Sequence, residues 1–266
     1  MLYAAFFGIL EGVTEWLPIS STGHLILLEN LIKFETRVAF FELFEVVIQL
    51  AAIGAVVLLY FRTLNPFAKT KSRAERRDTW RLWGLLLLAA APSAVIGLLL
   101  DDFLDEHLFN PFAVACALIF YGVAFIWLEK RRKLVPFDGQ MTKKHALCVG
   151  AFQVLALVPG TSRSGATMLG GTLAGLSRTQ AARFSFFLAI PTMLGASALK
   201  GAKFFFEGNV LSCEEILMLS TGVLVAFLIS LVTIRFLMNF VARHGFFGFG
   251  VYRIVLGAFV LLTLIF

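Results

Sequence analysis

The chain has 266 residues, 59% of them hydrophobic and only 15% charged, with 29 Phe, and its mean hydropathy is +0.86. These values exclude an ordinary soluble domain and describe an integral membrane protein. The formal charge of +6 comes from Lys and Arg lying between apolar runs, where they orient a membrane chain, so nucleic acid is not an expected partner.

In chain order, residues 2–33 form an apolar segment broken near its middle by Pro18, Ser20, Ser21 and Gly23. It has no basic leader and is interrupted by Glu11, so it reads as a retained first helix rather than a signal peptide. A crossing of about 30 Å of hydrocarbon is predicted at 41–61. The following loop, 62–81, carries Arg62, Lys69, Lys71, Arg76 and Arg77 and is placed in the cytoplasm. A crossing at 82–100 leads to an acidic connection, 101–110, on the outer side, and one at 111–128 leads to a second basic loop, 129–144. Residues 145–176 are again apolar and broken, here by Pro159 and Gly160. Crossings at 183–199, 215–238 and 248–266 follow, with Arg235 and Arg243 beside an inner turn at 239–247.

Every basic loop falls inside only if both broken segments return to the side they entered. The expected fold is therefore an all-α integral membrane protein, one domain over 1–266, with six transmembrane helices plus two re-entrant helical hairpins meeting near the midplane. Both termini lie outside; the first hairpin dips in from outside and the second from the cytoplasm. Each half, 1–129 and 145–266, then holds one hairpin and three crossings, and because three is odd the second copy is inverted. Gly8, Glu11, Pro18 and Ser21 match Gly150, Gln153, Pro159 and Ser162 with one gap, and Phe44, Glu45 and Gly54 match Phe184, Ser185 and Gly195. Inverted repeats place their sites near the midplane, between discontinuous helices. Cys116, Cys148 and Cys213 have neither metal nor disulfide spacing and are expected to be packing residues.

Polar residues at membrane depth are costly and mark function. Glu11 and Glu15 are one helical turn apart, so their carboxylates share a face and suit either a hard divalent cation or acid and base roles. A purely structural pair of carboxylates is the alternative. Glu45 and Gln49 repeat the spacing on the first crossing and are expected to face the same cavity. After Pro18, the hydroxyls of Ser20, Ser21 and Thr22 gather with Gly23 at a helix start, an arrangement that binds anions or simply caps the helix. His24, three residues after Ser21, is placed to act as its general base.

In the second segment Gly160 and Gly165 have the spacing of a phosphate loop, but Ala166 stands where a nucleotide-binding loop needs Lys. Arg163 opens the following helix, and a guanidinium forks onto two phosphate oxygens. At this depth it needs an anion, either a substrate or a carboxylate of the first segment. Ser162, Ser164 and Thr167 are the expected donors to the same anion. Carboxylates, an imidazole, hydroxyls and an arginine together suit a diphosphate on an apolar tail.

The stretch Glu11-Gly-Val-Thr-Glu15-Trp-Leu-Pro-Ile-Ser20-Ser21-Thr22-Gly23-His24 and the stretch Pro159-Gly-Thr-Ser162-Arg163-Ser164-Gly165-Ala-Thr167 resemble the two hallmark motifs of the undecaprenyl pyrophosphate phosphatase, or bacitracin-resistance, family. Phe44-Glu45-Val-Val-Ile-Gln49 and the apolar run ending at Pro191 are similar to it as well, so the likeness spans nearly the whole chain. The resemblance implies hydrolysis of a polyprenyl diphosphate to its monophosphate at the outer face of the bacterial plasma membrane, recycling the lipid carrier of cell-wall synthesis. It implies Glu11, Glu15, Ser21, His24, Ser162, Arg163 and Thr167 as active-site residues, with a divalent cation, Mg2+ or Ca2+, held by Glu11 and Glu15. Attack by Ser21 and attack by water both stay open. The expected partners are the lipid substrate and membrane lipids, and a homodimer is left open. The rival is a polyprenyl-phosphate transporter or flippase, since inverted repeats also serve alternating access; a channel is weaker, because no polar stripe lines the crossings.

Overall fold

The computed structural model describes residues 1–21, 23–25, 36–131 and 139–264, without the side chains of 101–105. Thr22, the far arm of the first broken segment and the basic residues Arg132 and Lys133 lie outside the described residues. The described part is helical throughout: α1 Leu2–Thr14, α2 Val38–Leu59, α3 Phe61–Leu64, α4 Arg73–Leu108, α5 Pro111–Arg131, α6 Lys143–Leu155, α7 Arg163–Leu173, α8 Arg178–Phe206, α9 Cys213–His244 and α10 Phe247–Thr263. Helices are what such a sequence must form in hydrocarbon, where every backbone N–H and C=O has to be satisfied within its own segment.

Among the described residues, five helices are long and apolar enough to cross a bilayer: α2, α4 over Arg73–Leu100, α5, α8 and α9. The chain is a multi-pass membrane protein. The sixth expected crossing, 248–266, is the shorter apolar helix α10 of 17 residues, which at 1.5 Å per residue is about 25 Å long. Several helices run past the apolar spans expected for them because capping boxes, not hydropathy, set their starts. Ser72 caps α4 with Glu75, Ser177 caps α8 with Gln180, and Ser212 caps α9 with Glu215. The basic stretch after α2 is thus partly the first turns of α4, and most of the acidic stretch expected as a connection at 101–110 is the last turns of the same helix.

Packing exchanges elements between the two halves. α1 lies on α9, α6 on α4, α2 on both α8 and α9, and α5 on α10. Small residues let these backbones meet. A Cβ on Gly122 would come within 2.8 Å of the Gly250 carbonyl, and one on Gly150 within 2.6 Å of the Ala89 carbonyl. The cysteines do not pack as expected: Cys116 and Cys213 are exposed, and only Cys148 is partly buried, its Sγ donating to the Gly170 carbonyl.

Candidate active site

The two broken segments touch one another, and their backbones turn in the same way. Ser20 and Ser162 are the two non-glycine residues with left-handed backbone among those described, at φ 72° and 69°. Each side chain caps the helix it opens: Ser20 Oγ accepts from Gly23 N at 3.4 Å and Ser162 Oγ from Gly165 N at 3.1 Å. Backbone strain of this kind persists where the surroundings hold it, and it concentrates at functional sites. The geometry corrects the expected correspondence, because Ser20, not Ser21, matches Ser162. One constant offset then relates Gly8, Glu11, Glu15, Ser20 and Gly23 to Gly150, Gln153, Leu157, Ser162 and Gly165, without a gap.

Glu11 and Glu15 lie on one face of the end of α1, both buried. Glu11 lies within electrostatic reach of Glu15, of Glu45 on α2 and of Arg163 on α7. Arg163 supplies the counter-charge from the other segment: its Nε and Nη2 donate to Glu15 Oε1 at 3.1 and 2.8 Å, and its Nη1 donates to the Ser185 carbonyl at 2.9 Å. The anion expected for Arg163 is therefore a first-segment carboxylate. Ser164 adds a second tie between the segments, donating to the Leu17 carbonyl at 3.2 Å.

The remaining expected residues divide. Ser21 is half-buried at the start of the second helical stretch and Gln49 half-buried one turn beyond Glu45. Thr167 is fully buried, and its hydroxyl is turned inward to the Arg163 carbonyl and to Ser185 Oγ, at 2.8 and 2.7 Å, rather than toward an anion. Gly160 has φ +85°, and a Cβ there would come within 2.5 Å of the Val114 carbonyl; it lets the loop press against α5. The expected Ser21–His24 hydrogen bond is not formed. His24 Nδ1 is 2.7 Å from the Ser20 carbonyl and Nε2 is 2.7 Å from Tyr252 Oη.

Two residues in this cluster, Tyr252 and Arg253, escaped the sequence reading, and a third, Ser185, entered it only as the match of Glu45. Tyr252 and Arg253 lie on α10, read there as a plain crossing, although an Arg in an apolar helix carries the same signal that singled out Arg163. Arg253 is fully buried and donates to the carbonyls of Pro18, at 3.2 Å, and Gly160, at 2.9 Å, one in each segment. Ser185 occupies the place in α8 that matches Glu45.

The donor set fits a divalent cation at Glu11 and Glu15. Glu11 Oε1 is buried without a hydrogen-bond partner, and two carboxylates brought together need a proton or a cation between them. No group of three His, Cys, Asp or Glu in a metal-holding arrangement occurs among the described residues.

The family described as Bacitracin resistance protein BacA matches residues 4–259. An undecaprenyl-diphosphatase of Enterococcus faecalis is 55% identical over 259 residues, covering 96% of this chain and 94% of that protein. Proteins of the same name from Streptococcus thermophilus and Streptococcus agalactiae are each 51% identical over 98% of this chain, with 92% and 95% of their own lengths covered. With both polar segments inside the matched span, the chain belongs to the bacitracin resistance protein BacA family.

Proposed function

We propose that this protein hydrolyses undecaprenyl diphosphate to undecaprenyl phosphate and inorganic phosphate, recycling the lipid carrier of peptidoglycan synthesis and so conferring resistance to bacitracin. The observation that carries this reading is the Arg163–Glu15 pair, its carboxylate buried and its guanidinium partly so: it joins the two polar segments into one cluster with Glu11, and His24 sits on the first of them. The names of the relatives support the substrate.

In this reading the diphosphate enters between the segments while its tail stays in the lipid. Arg163, at the start of α7, exchanges part of its contact with Glu15 for the phosphate oxygens and neutralises the charge that develops on them. His24 Nε2 takes the proton of the attacking oxygen, of Ser21 or of a water in its place, as that oxygen bonds to the terminal phosphorus and the anhydride P–O bond breaks to release the lipid monophosphate; on the Ser21 route a water then cleaves the phosphoserine and frees inorganic phosphate. Glu11 and Glu15 would hold the Mg2+ or Ca2+, which when bound supplies positive charge to the diphosphate.

The proposed topology is an inverted repeat over 1–129 and 145–266, with α10 as the sixth crossing and two re-entrant hairpins, in the bacterial plasma membrane with the site opening to the outer face. Its support is the exchanged packing, α1 on α9 and α6 on α4, and the paired left-handed caps at Ser20 and Ser162.

The test is phosphate release from farnesyl diphosphate by the purified protein in detergent with Mg2+. Release without any gradient is expected. Binding of the diphosphate without release would identify a carrier instead.

A further inference from the structure

Tyr252 stands beside the imidazole that the proposed reaction uses as its base. The two rings are nearly parallel, 12° apart with centroids separated by 5.7 Å, and the phenol oxygen is 2.7 Å from His24 Nε2. The other ring nitrogen, Nδ1, is 2.7 Å from the Ser20 carbonyl. A carbonyl only accepts, so Nδ1 carries the hydrogen; Nε2 then presents its lone pair, and the phenol O–H donates to it. Both nitrogens of the imidazole are thus assigned by their partners, one from the first polar segment and one from α10.

The turn of α10 that carries Tyr252 is itself fixed to both segments. The next residue, Arg253, is fully buried and donates to the Pro18 and Gly160 carbonyls, so Tyr252 cannot shift along its helix without breaking these bonds. Tyr252 is 45% exposed, which leaves its hydroxyl room to give way.

We propose that Tyr252 is a positioning residue for His24: its phenol holds the imidazole in the plane set by Ser20 and keeps Nε2 aimed into the site until the attacking oxygen takes the phenol's place. The inference rests on the reading of His24 as the general base. It concerns the orientation of the base and not the binding of the diphosphate, so its signature is in kcat and not in KM.

The test uses Tyr252→Phe, which keeps the stacked ring and removes one hydroxyl, with farnesyl diphosphate as substrate in detergent. A fall in kcat of about tenfold or more is expected, in line with losses on removing groups that orient a functional His, with KM essentially unchanged. In a His24→Ala background the same substitution should cause no further loss. A second readout is independent of turnover: acylation of His24 by diethyl pyrocarbonate, followed by peptide mass, should run several-fold faster in Tyr252→Phe because the Nε2 lone pair is uncovered. Wild-type kcat in Tyr252→Phe, or an unchanged acylation rate, overturns the proposal. Wild-type kcat in His24→Ala is a different failure, because it removes His24 as the base whatever Tyr252 does.

Discussion

The two polar segments have the same backbone and different chemistry. Each ends a helix, turns through a left-handed serine and opens a new helix capped by that serine on a glycine three residues on. Across this shared frame the side chains at matching positions differ: Glu11 corresponds to Gln153, Glu15 to Leu157, Ser21 to Arg163 and His24 to Ala166. In the proposed reading this divergence divides the chemistry, with His24 and the two carboxylates on one segment and Arg163, which grips the phosphate, on the other.

The sharpest break of this comparison is to give the first segment the second's residue at the cross-segment pair. Glu15→Leu leaves the partly buried Arg163 without its carboxylate, and removing one partner of such a pair costs up to about 3 kcal/mol. Loss of folded protein in detergent, read by size-exclusion chromatography, is the expected outcome, with phosphate release absent from any folded remainder. Ser21→Ala asks whether the first segment carries the nucleophile; a fall in kcat of roughly a hundredfold or more supports attack by Ser21, and near-normal turnover assigns the attack to water. Gly160→Ala strains the frame itself, since its φ is positive and the new Cβ meets the Val114 carbonyl; a loss of about 1–3 kcal/mol is expected, measured as a lower Tm. The smallest effect belongs to Gln153→Leu. It removes the hydrogen bond from Gln153 Nε2 to Ser93 Oγ, costs about 1 kcal/mol and leaves kcat and KM near wild type, whereas Glu11→Gln on the matching position of the first segment should lower kcat.

Much of this was legible in the chain because lipid narrows the explanations a polar residue can have. Glu11, Glu15 and Arg163 were found by that rule alone, and Pro18 and Pro159 with Gly160 marked where the helices stop. The start of α4 was equally open to reading, since Ser72 followed by Glu75 is a cap signal, but hydropathy alone favoured a later start. What spacing could not give was contact between distant elements. That Tyr252 lies on His24, or that Arg253 reaches Pro18 and Gly160, depends on how α10 sits against both segments. The inward turn of Thr167 depends likewise on Ser185 of α8, which no local pattern places beside it. Arg253 alone could have been singled out, as a lone cation in an apolar run, though not its partners.

The division of labour between the segments is tested most directly by steady-state phosphate release from farnesyl diphosphate for His24→Ala and Arg163→Ala, each checked for folding. His24→Ala should lower kcat by a factor of about 10²–10⁴, the usual contribution of a general base, with KM little changed. Arg163→Ala should lower kcat and raise KM together. Wild-type kcat in the first, or wild-type KM and kcat in the second, would contradict a single site built from both segments.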